Sequence, residues 1–570
     1  MSSRMKQSLG SVDPLVFGAA ALIIGGFAAW GIIAPENLSS VIGGVLTWVL
    51  ATFGWFYVFV AFVVLALSIF LMVHPWGRIR LGPDDSRPDF RTFTWIAMMF
   101  SAGLGSALMF YGVVEPLTHW AAPPHQLAEP RTQEAANIAL QYTYFHWGFN
   151  GWAMYAVVGG SLAFFCYRKG MPMLLSSAFT TPLGPNAARR PMGRLIDVLG
   201  IVSTVFGMAT SLGLNGLQLS GGLSYLFGTP NNNLVAVIIV ASVTGLFLIS
   251  ATTGVEKGVA KLADIGVIAT IALFFFWLFA GGATVKVISE SLQTIGNYLI
   301  EVIPMSLITG VGDEEWMASW TIFYWAWWYS WGPFVGMFVA RISRGRTIRE
   351  FLLGTIAAPT GFGFLWFAAV GGTSIDIQES GRADLLAAVA ESPQSALFAA
   401  LDVLPIPLIT SGLSVLLMVL FFVSGADAGA ITMATMASRG SIKPAKIVVV
   451  TMGVLMGGVA SAMLLAGGLE GLQQAAILGS GPFLVISMAL CWYWVKALAK
   501  EGPPPREEPP PESLDASTEL VSTVPGSIGR AGGEHDGVVE PPGDRDDRDD
   551  RTTLPGKRDD VAKPAGEGAR

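Results

Sequence analysis

The chain has 570 residues, of which 52% are hydrophobic and 13% are charged; its mean hydropathy is +0.56 and its formal net charge −7. This composition excludes a soluble multidomain protein and is typical of a membrane protein with several spans. The two cysteines, Cys166 and Cys491, lie in apolar runs, which excludes a disulfide framework.

Apolar stretches long enough to cross about 30 Å of hydrocarbon occur roughly twelve times along the chain. The first is not followed by a small-residue cleavage site, so we interpret it as a span and not as a signal peptide. We therefore predict a membrane domain over residues 15–500 after an N-terminal segment, 1–14. The predicted spans are residues 15–34, 45–73, 93–114, 136–166, 196–220, 232–250, 263–284, 315–340, 351–374, 404–436, 445–466 and 471–498.

Lys and Arg are concentrated in the even-numbered connections between these spans, whereas the odd-numbered connections are nearly free of them. Because basic loops stay on the cytoplasmic side, this pattern predicts a plasma-membrane protein with both termini in the cytoplasm. The basic residues are Arg78, Arg80, Arg87, Arg91, Arg168, Lys169, Arg189, Arg190, Arg194, Lys257, Lys261, Arg341, Arg344, Arg346, Arg349, Arg439, Lys443, Lys446, Lys496 and Lys500.

Span three contains a run of small residues, Ser-Ala-Gly-Leu-Gly-Ser-Ala at 101–107. Small residues allow two helices to pack closely, which is one interpretation. The alternative is that Gly103 and Gly105 let the helix unwind beside a water-filled cavity, where free carbonyls bind sodium or free amides bind an anionic group. The residues alone leave both open.

Span four carries Trp147, Trp152 and Tyr155. Trp152 and Tyr155 are three positions apart and share a helix face, while Trp147 and Tyr155 are offset by about 80° around the helix. The three rings either line one cavity or form an aromatic packing face.

Residues 286–303 precede span eight and are too polar to cross a membrane. Apolar residues recur there at helical spacing, so we predict an amphipathic helix on the outer surface of the membrane.

Span eight holds five tryptophans within twelve positions. Lipid-facing helices keep Trp at their ends, so tryptophans along a span indicate a permanently charged cation bound on indole faces. Gly332-Pro333 also predicts a break in this helix. The five are Trp320, Trp325, Trp327, Trp328 and Trp331, and a stripe at i, i+4, i+7 and i+11 joins Trp327, Trp331, Phe334 and Phe338.

The chain changes character from residue 501 onward. Residues 501–570 are rich in Pro and Gly, and their 17 acidic and 9 basic residues give a formal charge of −8. Such a composition cannot build a core, so we predict a disordered, acidic cytoplasmic tail.

Over residues 12–500 the sequence resembles the betaine/choline/carnitine transporter family. The resemblance rests on Phe-Ser-Ala-Gly-Leu-Gly at 100–105, Tyr-Gly-Val-Val-Glu-Pro-Leu-Thr-His at 111–119, Phe-His-Trp at 145–147, Trp-Ala-Met-Tyr at 152–155 and the whole of 323–351. It implies an all-α membrane protein with about twelve spans, LeuT-type inverted repeats of spans 3–7 and 8–12, a homotrimer, and trimethylammonium substrates.

The resemblance also implies site residues. Trp147, Trp152, Tyr155 and Trp328 match the family's aromatic box, and Trp327 and Trp331 match further cation contacts on the same helix. Choline-type members place an Asp where this chain has Ala107. A zwitterion carries its own carboxylate and needs only backbone amides near Gly103 and Gly105, so betaine-like substrates are favoured.

For sodium coupling the resemblance implies one site at Ala102, Leu104, Phe421 and Ser424, and a second at Thr210, Ser211 and Phe334. Sodium-coupled members carry a Thr-Ser pair where this chain has Ser424-Gly425, so one hydroxyl is lost. Asn150-Gly151 is a second departure, since the family commonly shows His-Pro or similar there.

We therefore expect a secondary transporter that imports glycine betaine or a related zwitterion as an osmoprotectant, coupled to Na⁺. The alternatives are a Na⁺-independent carnitine/betaine exchanger, a choline importer, or a betaine-binding membrane sensor that does not transport. No enzymatic activity, cofactor, resident metal or nucleic-acid partner is expected. His146 is interpreted as a packing or hydrogen-bonding residue, because no second His lies at a metal-ligand spacing.

Overall fold

The computed structural model describes residues 11–503 except 104, 106, 254 and 255, and gives the backbone alone over 100–103, 251–253 and 256–264. The described part is helical and contains no β-strand, so the fold is all-α, as the sequence predicts. The predicted tail lies beyond the described residues from position 504. The helices are α1 (Pro14–Ile33), α2 (Pro35–Val73), α3 (Thr92–Gly103), α4 (Ala107–Ala121), α5 (Gln133–Trp147), α6 (Phe149–Ala163), α7 (Thr180–Leu183), α8 (Pro191–Phe227), α9 (Asn233–Thr253), α10 (Glu256–Ala280), α11 (Thr284–Met305), α12 (Glu314–Met317), α13 (Phe323–Arg341), α14 (Ile348–Phe367), α15 (Thr373–Glu379), α16 (Leu385–Glu391), α17 (Ala396–Asp402), α18 (Pro407–Ala437) and α19 (Lys446–Glu501).

Helices cover all twelve apolar stretches that the sequence predicts as spans. By length and hydropathy, eight helices of the described residues can cross a membrane, or nine if one bent pair counts as a single span. The number is lower than twelve partly because the last two stretches share α19, which bends at Gly468 (φ 57°, ψ −131°). Span three is also divided, into α3 and α4. The protein is a polytopic membrane protein, and the inverted-repeat relation between spans 3–7 and 8–12 stays a prediction.

Glycines allow α6 and α13 to pack in direct contact. A Cβ atom on Gly159 would lie 2.4 Å from a methyl carbon of Val339, and one on Gly336 would lie 2.4 Å from a methyl carbon of Val158. Without side chains at these two positions the helix backbones approach closely, as small residues permit in membranes. This contact joins the two helices that carry most of the predicted aromatic residues.

Backbone hydrogen bonds join the segment before α3 to the loop after α13. The amide of Leu81 donates to the carbonyl of Arg346 (2.8 Å), the amide of Gly345 donates to Leu81 (2.9 Å), and the amide of Ile348 donates to Ile79 (2.9 Å). Gly345 has a φ of 82°, and a Cβ there would lie 2.1 Å from the carbonyl oxygen of Arg87. Only glycine fits this left-handed, crowded position.

The side chain of Arg346 extends the same junction to α3. Its guanidinium lies 3.8 Å from the ring centroid of Trp95, a cation–π contact, and it donates to the carbonyl of Phe90 at 3.0 Å. The loop therefore holds the first turn of α3 against the end of α13.

Helix α11 covers the segment predicted to be amphipathic, and its axis turns by 109° from that of the preceding span. One side of α11 is buried. The exposed side also carries apolar residues, such as Leu292 and Ile300, which suits contact with lipid. Its position on the outer surface stays a prediction. The buried stripe consists of Val287, Ser291, Thr294, Tyr298, Val302 and Met305.

Candidate functional site: an aromatic cavity

A cavity of about 70 Å³ lies where α8, α13 and α18 meet the break between α3 and α4 and the rings of α5 and α6. Its wall is mostly aromatic and aliphatic. Among the described residues, none that lines it is Asp, Glu, Lys or Arg. The lining residues are Gly105, Ala107, Trp147, Tyr155, Met208, Ser211, Leu212, Leu214, Asn215, Trp327, Trp328, Trp331, Phe421, Phe422, Gly425 and Ala426.

Three rings from different helices form what we call the aromatic cage (Trp147, Tyr155 and Trp328). The ring centroid of Trp328 lies 4.9 Å from that of Tyr155 and 6.1 Å from that of Trp147. The planes of Trp147 and Trp328 are inclined by 74°, so the two rings present differently oriented surfaces to the cavity. Such inclined aromatic surfaces suit a methylated ammonium group.

Trp152, the fourth residue of the implied box, does not line the cavity. Its ring lies 5.4 Å from Trp328 and 5.6 Å from Tyr155 and is 1% exposed. Trp152 therefore packs against the rings of Tyr155 and Trp328, and it supports the cage without lining the cavity.

Three of the five indole N–H groups of span eight donate to protein oxygens. The N–H of Trp328 donates to the backbone carbonyl of His146 at 3.0 Å. The N–H groups of Trp327 and Trp331 both donate to the hydroxyl oxygen of Ser211 at 3.1 Å, and Trp331 also donates to the carbonyl of Gly207. Because an indole N–H lies in the ring plane, these bonds fix the direction of each aromatic face.

Two glycines make room for these indoles. A Cβ on Gly151 would lie 2.5 Å from a ring carbon of Trp328, and a Cβ on Gly207 would lie 2.8 Å from a ring carbon of Trp331. Sequence reasoning noted Gly151 only as a departure from the family and gave no role to Gly207. The signal was a glycine inside an apolar helix, which often marks close approach of a large side chain.

Span three is interrupted, which is one of the two interpretations that the sequence left open. Helix α3 ends at Gly103 and α4 begins at Ala107, while Gly105 between them is non-helical and lines the cavity. Ala107 also lines the wall, so this position supplies no charge. Gly103 is known here by its backbone alone, at the last position of α3.

The break predicted at Gly332-Pro333 is wrong. Helix α13 continues without interruption through both residues. A Cβ on Gly332 would lie 2.7 Å from a ring carbon of Phe483, so the glycine serves close packing. Proline removes a single N–H, and surrounded membrane helices tolerate that loss. The irregular turn of this span lies earlier, where Ala318–Ile322 forms a π-helical turn.

The residues implied for the first sodium site are only partly described. Ala102 belongs to the backbone of α3, and Leu104 lies outside the described residues. Phe421 lines the cavity on α18, and the hydroxyl of Ser424 donates to the carbonyl of Phe421 at 3.2 Å. Their role in ion binding stays a prediction.

The residues implied for the second sodium site lie near one another. The hydroxyl of Thr210 is 2.9 Å from the carbonyl oxygen of Phe206 and 3.0 Å from that of Leu472. Ser211 accepts the two indole N–H bonds described above, and the ring of Phe334 lies 5.6 Å from that of Trp331. An ion here would compete with hydrogen bonds that the hydroxyls already make, so this site also stays a prediction.

A buried polar cluster lies beside the cage; the sequence predicted a packing or hydrogen-bonding role for its His146 and gave no role to its Glu115 and His119. One carboxylate oxygen of Glu115 is 2.6 Å from Nδ1 of His146, and the other accepts from the indole N–H of Trp147 at 2.9 Å and from the hydroxyl of Tyr324. His119, one turn further along α4, has its Nε2 3.5 Å from Glu115. The side chains of Glu115, His119 and His146 are all 0% exposed.

Glu115, His119 and His146 each offer a metal-ligand atom, and the three atoms lie within 4.8 Å of one another. The spacing of residues along the chain did not indicate a second histidine near His146, because His119 and His146 are on different helices. Tetrahedral zinc, with bonds of about 2.0–2.1 Å, separates its ligand atoms by about 3.3 Å, more than the short contact between Glu115 and His146. The distances therefore fit a hydrogen-bonded pair better than a metal site.

Comparison with known proteins agrees with this geometry. The glycine betaine transporter OpuD of Bacillus subtilis is 39% identical over 503 residues, which cover 88% of this chain and 96% of that protein. The glycine betaine transporter of Acinetobacter baylyi is 38% identical over 501 residues, 87% of this chain and 75% of that protein. The betaine/ectoine transporter LcoP of Corynebacterium glutamicum is 38% identical over 499 residues, 86% of this chain and 78% of that protein.

These relatives are named transporters, in accord with the expectation that the chain is not an enzyme. A family model described as the betaine/carnitine/choline family transporter matches residues 15–503, nearly the whole membrane domain. The chain is therefore a multi-pass membrane protein that belongs to the betaine/carnitine/choline transporter family.

Proposed function

We propose that the protein imports glycine betaine or a related trimethylammonium zwitterion by secondary active transport. The observation that carries this proposal is the aromatic cage on the wall of an uncharged cavity. A quaternary ammonium has no N–H to donate, so aromatic faces are its best partners, at about 2 kcal/mol or more for a desolvated contact. The printed names of the relatives, which refer to glycine betaine and to ectoine, support the same substrate class.

The uncharged wall favours a zwitterion over choline. Choline is a net cation, and burying it without a counter-charge is costly. Glycine betaine brings its own carboxylate, which needs hydrogen-bond donors and no basic residue. The non-helical backbone at Gly105 and the polar side chains of Ser211 and Asn215 are the candidate partners on the wall.

The proposal includes Na⁺ as the coupling ion, held between the α3–α4 break and α18. Sodium prefers several oxygen ligands, and Ser424 retains one of the two hydroxyls that the resemblance implies. Gly425 in place of the second hydroxyl supports the Na⁺-independent carnitine/betaine exchanger as the second candidate.

The proposal also places the protein in the plasma membrane as a homotrimer with both termini in the cytoplasm. The basic even-numbered connections support this orientation. Cross-linking in native membranes and cysteine accessibility at loop positions test the trimer and the orientation.

The deciding experiment is uptake by proteoliposomes of radiolabelled glycine betaine, choline, carnitine and proline, each under a Na⁺ gradient, a K⁺ gradient and a pH gradient. We expect accumulation of glycine betaine that requires Na⁺. Accumulation only against preloaded betaine or carnitine, whatever the cation, would establish the exchanger. Choline uptake above betaine uptake would contradict the zwitterion assignment, and saturable betaine binding without accumulation would indicate a sensor.

A further inference from the structure

The side chain of Glu115 connects to the aromatic cage along two routes. The direct route is the 2.9 Å bond that its carboxylate accepts from the indole N–H of Trp147. The second route passes through His146, whose side chain is bound to Glu115 and whose backbone carbonyl accepts the N–H of Trp328. Two of the three cage rings are thus restrained by one carboxylate, either directly or through one residue.

Glu115 does not itself line the cavity, so it does not touch a ligand there. Its α4 neighbours are buried, and the donors reach it from α5 and α13. A fully buried carboxylate is costly unless it is hydrogen-bonded, and Glu115 meets that requirement by accepting from His146, Trp147 and Tyr324. Breaking any one of these bonds therefore disturbs the other two.

The bond to Trp147 has an electronic consequence as well as a geometric one. Hydrogen bonds to an ionised acceptor are shorter and about twice as strong as neutral ones. They polarise the donor, and in an indole this places more electron density on the ring whose face attracts a cation. The carboxylate thereby strengthens the cage without offering a charge that a cation could contact.

We propose that Glu115 is the positioning residue of the aromatic cage, which sets the orientation of Trp147 and Trp328 and strengthens the cation-binding face of Trp147. This inference rests on the proposed function, because the group that the cage binds is the trimethylammonium group of the ligand. Glu115 acts through the indoles, so its replacement changes ligand affinity only while those indoles are present.

A double-mutant cycle on purified, full-length protein in nanodiscs tests this dependence. The four proteins are the wild type, Glu115→Gln, Trp147→Phe and the double variant, and the measured quantity is the Kd for glycine betaine by isothermal titration calorimetry. We expect Glu115→Gln to raise Kd about tenfold, and the double variant to bind no more than about threefold worse than Trp147→Phe. If the fold increase in Kd of the double variant equals the product of the fold increases of the two single variants, the proposal is overturned.

Uptake kinetics separate positioning from a general loss of folded protein. We expect Glu115→Gln to raise KM for glycine betaine with its maximal rate within about twofold of wild type, whereas loss of folded protein lowers the maximal rate alone. Asp197→Asn is the matched control, because Asp197 is also a fully buried carboxylate, bound by Ser176 and remote from the cavity wall. A KM change of equal size in that control would overturn the proposal.

If Glu115→Gln fails to fold, Tyr324→Phe replaces it in the cycle. That variant removes one donor to Glu115, and Tyr324 does not line the cavity. A rise in Kd of about threefold that disappears in the Trp147→Phe background supports the proposal, and an unchanged Kd overturns it. Absence of betaine binding by the wild type is a different result. It refutes the proposed function, and it also refutes this inference, which depends on that function.

Discussion

The cavity has two walls that are built differently. On the α13 wall, the indole N–H groups of Trp327, Trp328 and Trp331 are each accepted by a protein oxygen within 3.1 Å. The α18 wall consists of phenylalanine rings and small residues, and beside it, among the described residues, the hydroxyl of Ser424 donates to a carbonyl of its own helix.

The difference assigns separate roles to the two walls in the proposed function, ligand affinity to the first and ion coupling to the second. A wall whose rings are held by hydrogen bonds is preorganised for one chemical group, and the group we propose here is a methylated cation. The second wall, with small residues and few polar groups, leaves room for the proposed ion. Changes on the first wall should therefore affect ligand affinity strongly, and changes on the second wall should affect ion dependence mildly.

The largest effect is expected for Trp328→Leu. Loss of a cation–π contact worth about 2 kcal/mol corresponds to about thirtyfold weaker binding of glycine betaine. The measurement is Kd by calorimetry on purified protein. Trp277→Leu is the control, because Trp277 is equally buried but does not line the cavity. An unchanged Kd in Trp328→Leu would remove this ring from the site.

A smaller effect is expected for Gly151→Ala, which retains all three side chains of the aromatic cage. The added Cβ meets the ring of Trp328 at 2.5 Å and must displace it. We expect Kd for glycine betaine to rise about tenfold, or about 1.4 kcal/mol. Gly43→Ala adds the same atom where nothing lies within 4 Å and should leave Kd unchanged. Equal affinities of the two variants would show that Trp328 needs no fixed position.

Ser211→Ala tests the hydrogen bonds of the same wall. The variant removes the shared acceptor of Trp327 and Trp331, and a net hydrogen-bond loss of about 1 kcal/mol corresponds to about fivefold weaker binding. Ser68→Ala removes a buried hydroxyl that bonds only to its own helix and serves as the control. Betaine uptake at a fixed Na⁺ concentration is measured for both, and identical KM values would contradict the prediction.

Gly425→Ser addresses the second wall and should have the smallest effect. It adds a hydroxyl beside Ser424, at a position where a Cβ meets no atom of the described residues within 4 Å. We expect the Na⁺ concentration for half-maximal uptake to fall about two- to threefold, since one more oxygen ligand favours the ion. Gly412→Ser, on the same helix and equally open, should leave it unchanged. Uptake that ignores Na⁺ in every variant would exclude coupling at this wall.

Much of this organisation could be predicted from the sequence. Helices cover every stretch that hydropathy marked as a span, and the helix break beside Gly105 is one of the two interpretations that the glycines of span three left open. The aromatic stripe of span eight placed Trp327 and Trp331 on one face, where both now bond to Ser211. These successes share one cause, because periodicity determines which residues of a single helix point the same way.

Contacts between helices were beyond the reach of that reasoning. Glu115 and His146 are 31 positions apart, and nothing in either helix signals that their side chains meet. The face that Trp152 shares with Tyr155 fitted both a cavity wall and a packing face, and only the ring contact with Trp328 on another helix distinguishes them. Gly332-Pro333 read as a break because both residues weaken a helix, whereas packing against Phe483 supports the helix there.

The backbone pairing between residues 79–81 and 345–348 has a mechanical consequence. Three hydrogen bonds connect the segment before α3 to the loop after α13, the contact of Arg346 with Trp95 connects that loop to the first turn of α3, and each hydrogen bond contributes about 1 kcal/mol. Separating the two helices would break all of them together. For the proposed transport cycle we therefore expect α3 and α13 to move together, so that the proposed cation-binding rings of α13 keep their position relative to the first half of span three.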